Sequence, residues 1–360
     1  MVEHGCRDRA TRGLGDHSPR RRVPLSPRLF LILLIAQCSL LTAFASSWTR
    51  QNSTTMAWLR SAYFLDQNRG WVAGSNGTLL HTTDGGEVWK KLPTLTKDAL
   101  NDVYFADDNA GWILADRDQL KLNSKDEPRS YLMKTEDGGL TWQRVFFDTA
   151  DANPRLLRFI FADHQHAFVF GESGFLFATR DGGAHWTRQT SPTPRLLLSG
   201  AFFDYAHGWL VGAGGTIAST NDSGGTWQIG FVRDGAKPRF TAASFAATNL
   251  GWAVGNAGQI FTTRDGGRTW YAQDSNIDAD LFDVKFVNGA EGWACGAEGV
   301  LLHTTDGGVH WFVDSSATSH ALERLFFTDR DHGWAVGFGG TILKYSSENR
   351  YRNVPALSPK

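Results

Sequence analysis

The chain has 360 residues, of which 41% are hydrophobic and 20% charged, enough apolar content for a packed core and incompatible with a disordered chain. Lys and Arg total 36 against 37 Asp and Glu, for a formal net charge of -1, so the basic excess of a general nucleic-acid binder is missing. Three Cys are too few for a disulfide framework and none has metal-ligand spacing, while Gly 39, Trp 14 and Phe 24 describe many tight turns and repeated aromatic anchors rather than a helical protein.

The first 28 residues carry seven arginines, including Arg20-Arg21-Arg22, and an uncharged apolar run of 17 residues follows from Leu29 to Ala45. That run is short for a membrane span and ordinary for the apolar part of an export signal. Its end, Ala43-Phe44-Ala45, suits cleavage after Ala45. Residues 1–45 are therefore expected to be a signal peptide, with an uncleaved anchor as the alternative. Either places the remainder outside the cytoplasm, as in the periplasm. Cys38 raises a lipoprotein reading, but Gln37 stands where that signal wants a small residue. The mature chain keeps Cys295 as its one cysteine and can form no internal disulfide.

Downstream, an aromatic recurs at Trp71, Trp112, Phe168, Trp209, Trp252, Trp293 and Trp334, preceded by Gly except at Ala167. Successive spacings are 41, 56, 41, 43, 41 and 41 residues. Seven residues before each stands a Phe: Phe64, Phe105, Phe161, Phe202, Phe245, Phe286 and Phe327. Thirteen residues after the aromatic comes an Asp (Asp84, Asp181, Asp222, Asp265, Asp306), with Asp137 delayed by a 12-residue insertion. Five residues beyond each Asp is a Trp: Trp89, Trp142, Trp186, Trp227, Trp270 and Trp311. The intervening text, such as Thr263-Arg264-Asp265-Gly266-Gly267-Arg268-Thr269-Trp270, is the Asp-box. A short Asp accepts hydrogen bonds from its own turn, and the glycines allow positive φ. Strands of the type Phe282–Phe286, Gly292–Gly296 and Val300–Thr304, plus a fourth beginning at the box Trp, make units of about 41 residues, the size of propeller blades.

The seventh unit has no box at its C-terminal end. Trp48 precedes Phe64 by 16 residues, the gap found from Trp89 to Phe105 and from Trp270 to Phe286. Trp48-Thr49-Arg50-Gln51 is thus the missing outer strand. The expected fold is an all-β, seven-bladed β-propeller with four-stranded blades over residues 46–347, its ring closed by the N-terminal strand completing the last blade. Residues 348–360, polar and holding Pro355 and Pro359, are expected to be a flexible tail.

Gly-Trp strands alternating with Asp-boxes in an exported propeller resemble the photosystem II stability/assembly factor family. The resemblance covers nearly the whole mature chain. It implies a non-enzymatic extracytoplasmic propeller, lying in the thylakoid lumen of a phototroph, that binds a membrane-protein subunit during assembly, and an arginine-rich surface. Relatives of this type in bacteria without photosynthesis point alternatively to a scaffold for an envelope or transport complex.

The repeated residues are read as structural: Phe and Gly-Trp aromatics as blade core, and Asp84, Asp137, Asp181, Asp222, Asp265 and Asp306 as turn formers spread around a ring, too far apart to share an ion. No cofactor or metal is expected. Function is sought where the blades differ. Arg60, Arg155, Arg158, Arg195, Arg239 and Arg324 fall at or just before the inner strands, so they are expected to converge as rim residues on one channel mouth, contributing little to the core. Arginine forks there would bind a protein partner through an acidic segment, with membrane association through that partner or the anchor. The competing reading pairs them with local acids such as Glu323, Asp283 or Glu298. The charged insertion Asp116–Ser130 falls on the same face as a second candidate contact. A sialidase-like glycoside hydrolase is the other class, with Tyr63, Tyr104, Glu172, Glu298 and Glu323 available. No Arg-Ile-Pro motif and no evident carboxylate pair support it.

Overall fold

A computed structural model describes residues 48–118, 128–145, 147 and 155–347. The signal segment 1–45, the core of the insertion (119–127) and the tail 348–360 lie outside the described residues. Each repeat folds as an antiparallel sheet laid out from centre to rim. The inner strands run Leu59–Phe64, Ala99–Phe105, Leu156–Phe161, Leu197–Phe202, Phe240–Phe245, Leu281–Phe286 and Leu322–Phe327, one for each of blades one to seven. The second strands carry the Gly-Trp pair, as in Gly251–Gly255 and Gly292–Gly296, and are buried along their length. Most outer strands are only two residues long, such as Lys90–Lys91 and Phe312–Val313. Such short edges offer little ladder to a passing chain. Among the described residues no helix is long and apolar enough to cross a membrane.

The ring closes as the spacing requires. Trp48–Gln51 pairs antiparallel with Ile342–Ser346, in the register Trp48 to Tyr345 through Gln51 to Ile342. Trp48 is buried against Tyr345 and, edge-on, Phe327. One feature departs from a uniform set of four-stranded blades. After Gln228–Ile229, the outer strand of blade four, Phe231–Val232 crosses to pair in parallel with Thr269–Gln273, giving blade five a fifth strand.

Adjacent blades are joined by their repeated aromatics. Phe105 stacks on Trp71 with centroids 3.8 Å apart, Phe245 on Trp209 at 3.5 Å and Phe286 on Trp252 at 3.4 Å. In each pair the Phe comes from the blade after the Trp. Phe64 of blade one stacks on Trp334 of blade seven at 3.6 Å, so the same contact seals the closure. The indole N–H groups of Trp209, Trp252 and Trp334 donate to carbonyls of Gly266, Gly307 and Gly85 in the next blade's Asp-box. The glycine before the Trp is needed for close approach: a Cβ at Gly70, Gly251 or Gly333 would run into the ring of that blade's own Phe. Blade three has Ala167 there. Its Phe161 tilts 46° from Trp112 and stacks instead on Tyr104 at 3.9 Å.

The six Asp-boxes share one geometry. In the box of blade six, Thr304 Oγ1 donates to Asp306 Oδ1 and accepts the Gly308 N–H, while Asp306 Oδ1 also accepts the His310 N–H. These donors hold Asp306 well below the usual carboxylate range, at about 2, led by the His310 backbone N–H. Asp137 and Asp181 are likewise at about 2. Asp306→Ala is expected to lower stability by about 1 kcal/mol at neutral pH, since three partly exposed bonds are lost, from the Thr304 hydroxyl, the His310 N–H and the His310 ring. The native pKa is below that of an unfolded Asp, near 4, so the contribution is complete above that pH and disappears as pH falls toward 2. Thermal melts of both proteins across that range should converge at the acid end; a constant difference would mean that the carboxylate charge has no part in it.

Candidate functional site: the arginine-bearing mouth

Each inner strand carries a buried apolar residue at its start or, in blade two, one place in: Leu59, Leu100, Leu156, Leu197, Phe240, Leu281 and Leu322. Immediately after it the register with the second strand slips in all seven blades, for example between Leu59 and Ser61 and between Leu322 and Arg324. Such a bulge leaves one residue unpaired and re-aims its side chain. The bulged residues are Arg60, Asn101, Leu157, Leu198, Thr241, Phe282 and Glu323. All seven line one cavity of about 390 Å³, together with Trp58, Arg155, Arg158 and Arg239. Because every blade contributes, this cavity is the mouth of the central channel on the face where the inner strands begin.

Of the six arginines singled out by sequence, four meet here: Arg60, Arg155, Arg158 and Arg239. Arg60 is half-buried and donates to Asn101 Oδ1 at 2.6 Å. Burial pushes its guanidinium down, opposed by Glu323 and Asp116 and reinforced by Arg158 and Arg155. Arg155 sits against Asp116 at 2.8 Å and Glu172 at 3.6 Å. Burial lowers its pKa, but these carboxylates outweigh it, and the net shift is upward. Arg239 is exposed and makes no ion pair among the described residues.

Arg158 reaches from the mouth into the channel, and Arg324 does not line the mouth at all, where the sequence expectation had both on the rim. One position beyond the bulge, they point into the channel and line a second cavity of about 530 Å³ toward the Asp-box end. Arg158 donates to the Asn101 carbonyl at 2.8 Å and lies 3.9 Å from Asp102. Arg324 lies 3.6 Å from Asp283. Both acids are fully buried, and burial raises their pKa values against the pull of nearby cations. Each also ties two blades together: Asp102 accepts the Phe159 N–H at 3.2 Å, and Asp283 the Leu325 N–H at 2.9 Å. These two arginines belong to the core of the ring, because the register there turns side chains into the channel. Arg195 also departs from the expected convergence. It is exposed beside the Ala213–Gly215 turn and does not line the mouth.

Among the acids weighed as local partners, Asp283 pairs with Arg324 and Glu323 sits in the mouth, where it accepts the Trp58 indole N–H at 3.0 Å. Glu298 occupies a separate turn with positive φ. Trp58, Leu157, Leu198 and Phe282 were missed by sequence reasoning. The signal was available: the bulged residue always lies four before the repeated Phe, and Trp58 lies six before Phe64, as Arg155 and Arg239 lie before Phe161 and Phe245.

The sequence profile of the photosynthesis system II assembly factor YCF48 family matches residues 38–123, 91–192, 189–274, 235–314 and 271–346. The chain belongs to that family. A curated relative, the photosystem II assembly lipoprotein Ycf48 of Synechococcus sp. (strain CC9902), is 27% identical over 156 residues, spanning 40% of this chain and 40% of that protein. Among solved structures, YCF48 bound to a D1 peptide has a TM-score of 0.69 at 20% identity, covering 84% of this chain and 98% of that one. YCF48 from Cyanidioschyzon merolae gives the same TM-score and identity over 85% of this chain and all of the other. The GH74 xyloglucanase from Xanthomonas campestris also shares the propeller, with a TM-score of 0.65 at 12% identity, covering 85% of this chain and 54% of the enzyme.

Proposed function

We propose that this protein is an extracytoplasmic, non-catalytic assembly factor that holds an acidic segment of a membrane-protein subunit in its arginine-bearing mouth. The observation that carries this reading is the mouth itself. Blades one, three and five send Arg60, Arg155, Arg158 and Arg239 to one cavity, and Glu323 is the single carboxylate in its lining. Arg239 keeps an unengaged guanidinium fork, the group best suited to a carboxylate. A glycosidase needs two carboxylates flanking its substrate, and the lining offers one. Family membership supports a role in assembly, and a relative's structure with a D1 peptide supports a peptide as the ligand. Residues 1–45 would deliver the propeller across the membrane, cleaved or retained as an anchor.

The purified propeller, immobilised and exposed to solubilised membranes of its source organism, is expected to retain a membrane-protein subunit. Elution should rise steeply with salt, because partly exposed charge pairs are screened. Retention unaffected by salt would overturn the electrostatic mouth as the binding site. Turnover of xyloglucan or a sialoside by the same preparation would overturn the non-catalytic reading.

A further inference from the structure

The mouth is not uniformly cationic. On its blade-seven and blade-one side stands an exposed aromatic pair, Trp58 and Phe338, with ring centroids 5.8 Å apart and planes at 76°. Trp58 is 39% exposed and Phe338 50%. The fold does not call for either. At the register of Trp58 the other blades carry Ala99, Arg155, Leu196, Arg239, Asp280 and Ala321. Phe338 opens the turn after its second strand, where blades four and six have Ala213 and Ala297.

The pair is nonetheless held in place. Glu323 accepts the indole N–H of Trp58 at 3.0 Å, and the Arg60 guanidinium lies 5.1 Å from the centre of its ring. A ring fixed on one edge by a carboxylate and covered by a cation loses little freedom on binding, which favours its use as an anchor. Trp58 lines the same cavity as Arg155 and Arg239, so apolar and cationic recognition share one mouth.

We propose that Trp58 and Phe338 form an apolar anchor subsite, and that the mouth selects acidic peptide segments carrying a bulky apolar side chain within a few residues of the carboxylate. This deepens the reading of the mouth as an acidic-segment site and rests on it. The carboxylate lies toward Arg155 and Arg239 while the apolar side chain packs on the Trp58–Phe338 edge. Charge complementarity makes the occupant an acidic peptide.

The test uses two short capped Gly-Ser peptides ending in Asp-Asp, one with a Phe a few residues before the acids and one with Gly there. Binding to the wild-type propeller is followed by fluorescence anisotropy. The Phe peptide is expected to bind about tenfold tighter, ~1.4 kcal/mol. Phe338→Ala, which leaves the Trp58–Glu323 bond in place, should remove most of that preference and leave the Gly peptide's affinity unchanged; Trp58→Ala should remove the preference as well. Both variants should melt with the wild type, since rim rings support little of the core. Equal binding of the two peptides, both weakened by Arg239→Glu, would overturn the anchor and leave the acidic-segment reading standing. A preference that survives both aromatic variants would also overturn it. Binding of neither peptide would overturn both readings, and capture of an anionic fatty acid in their place would show that the occupant is not a peptide.

Discussion

A chain lacking Trp48–Gln51 is expected to lose most of the stability of its ring. Trp48 is 3% exposed and packs with Trp293, Leu301, Leu325 and Tyr345 at the junction of blades six and seven. Removing a buried Trp side chain alone costs about 3–5 kcal/mol. Truncation also strips the ladder from Ile342–Ser346 and leaves that strand as an open edge. The combined loss is comparable to the whole stability of an ordinary domain, ~5–15 kcal/mol. Thermal and urea unfolding of the truncated protein should show a midpoint far below that of the intact chain, or no cooperative transition. Trp48→Ala should fall between the two. A truncated chain that melts within a few degrees of the intact one would mean that the closing strand is dispensable.

The second large effect separates two arginines of one cavity. Arg158→Glu would set a new carboxylate beside buried Asp102 and remove the cation that faces it. Breaking a buried pair in this way costs about 3–5 kcal/mol, so this variant should be folding-impaired before binding is measured. Arg239→Glu changes an exposed side chain with no ion pair and should leave the melting temperature nearly unchanged. Its acidic-peptide affinity should fall about ten- to a hundredfold, as loss of one charge-assisted contact is worth ~1.5–3 kcal/mol. Calorimetry on the two variants distinguishes them. If Arg158→Glu melts with the wild type, the inner cavity is not part of the core. If Arg239→Glu binds acidic peptide undiminished, the site does not use that guanidinium.

The fold was legible because its determinants are local and repeated. The Phe-to-Trp offset of seven marks rings that stack between blades, the third excepted, and the Trp48-to-Phe64 gap of 16 marks the closing strand. The parallel strand Phe231–Val232 was not legible, since nothing in a dipeptide announces that it will leave its own blade for the next. The site was half legible. The six arginines stand at four different distances from their repeated Phe: six for Arg155 and Arg239, four for Arg60, three for Arg158 and Arg324, seven for Arg195. Only the bulge tells these registers apart. It turns the position four before the Phe into the mouth and the next one into the second, inner cavity. Clustering along the sequence captures charge, but direction depends on a one-residue slip that a search for arginines passes over.

Closure by the first strand sets a kinetic order for the chain. Trp48 and Tyr345 become partners across nearly the full length of the propeller. Loop-closure entropy must be met before such a distant pairing is rewarded, and folds rich in distant contacts form slowly. The earliest part of the ring to emerge during synthesis or export is therefore the last to find its place. Until it does, blade seven lacks its outer strand and the ring stays open at one seam. A circular permutant that joins the two ends and opens a loop elsewhere would turn this late step into a local hairpin and shorten the time spent with an unpaired edge.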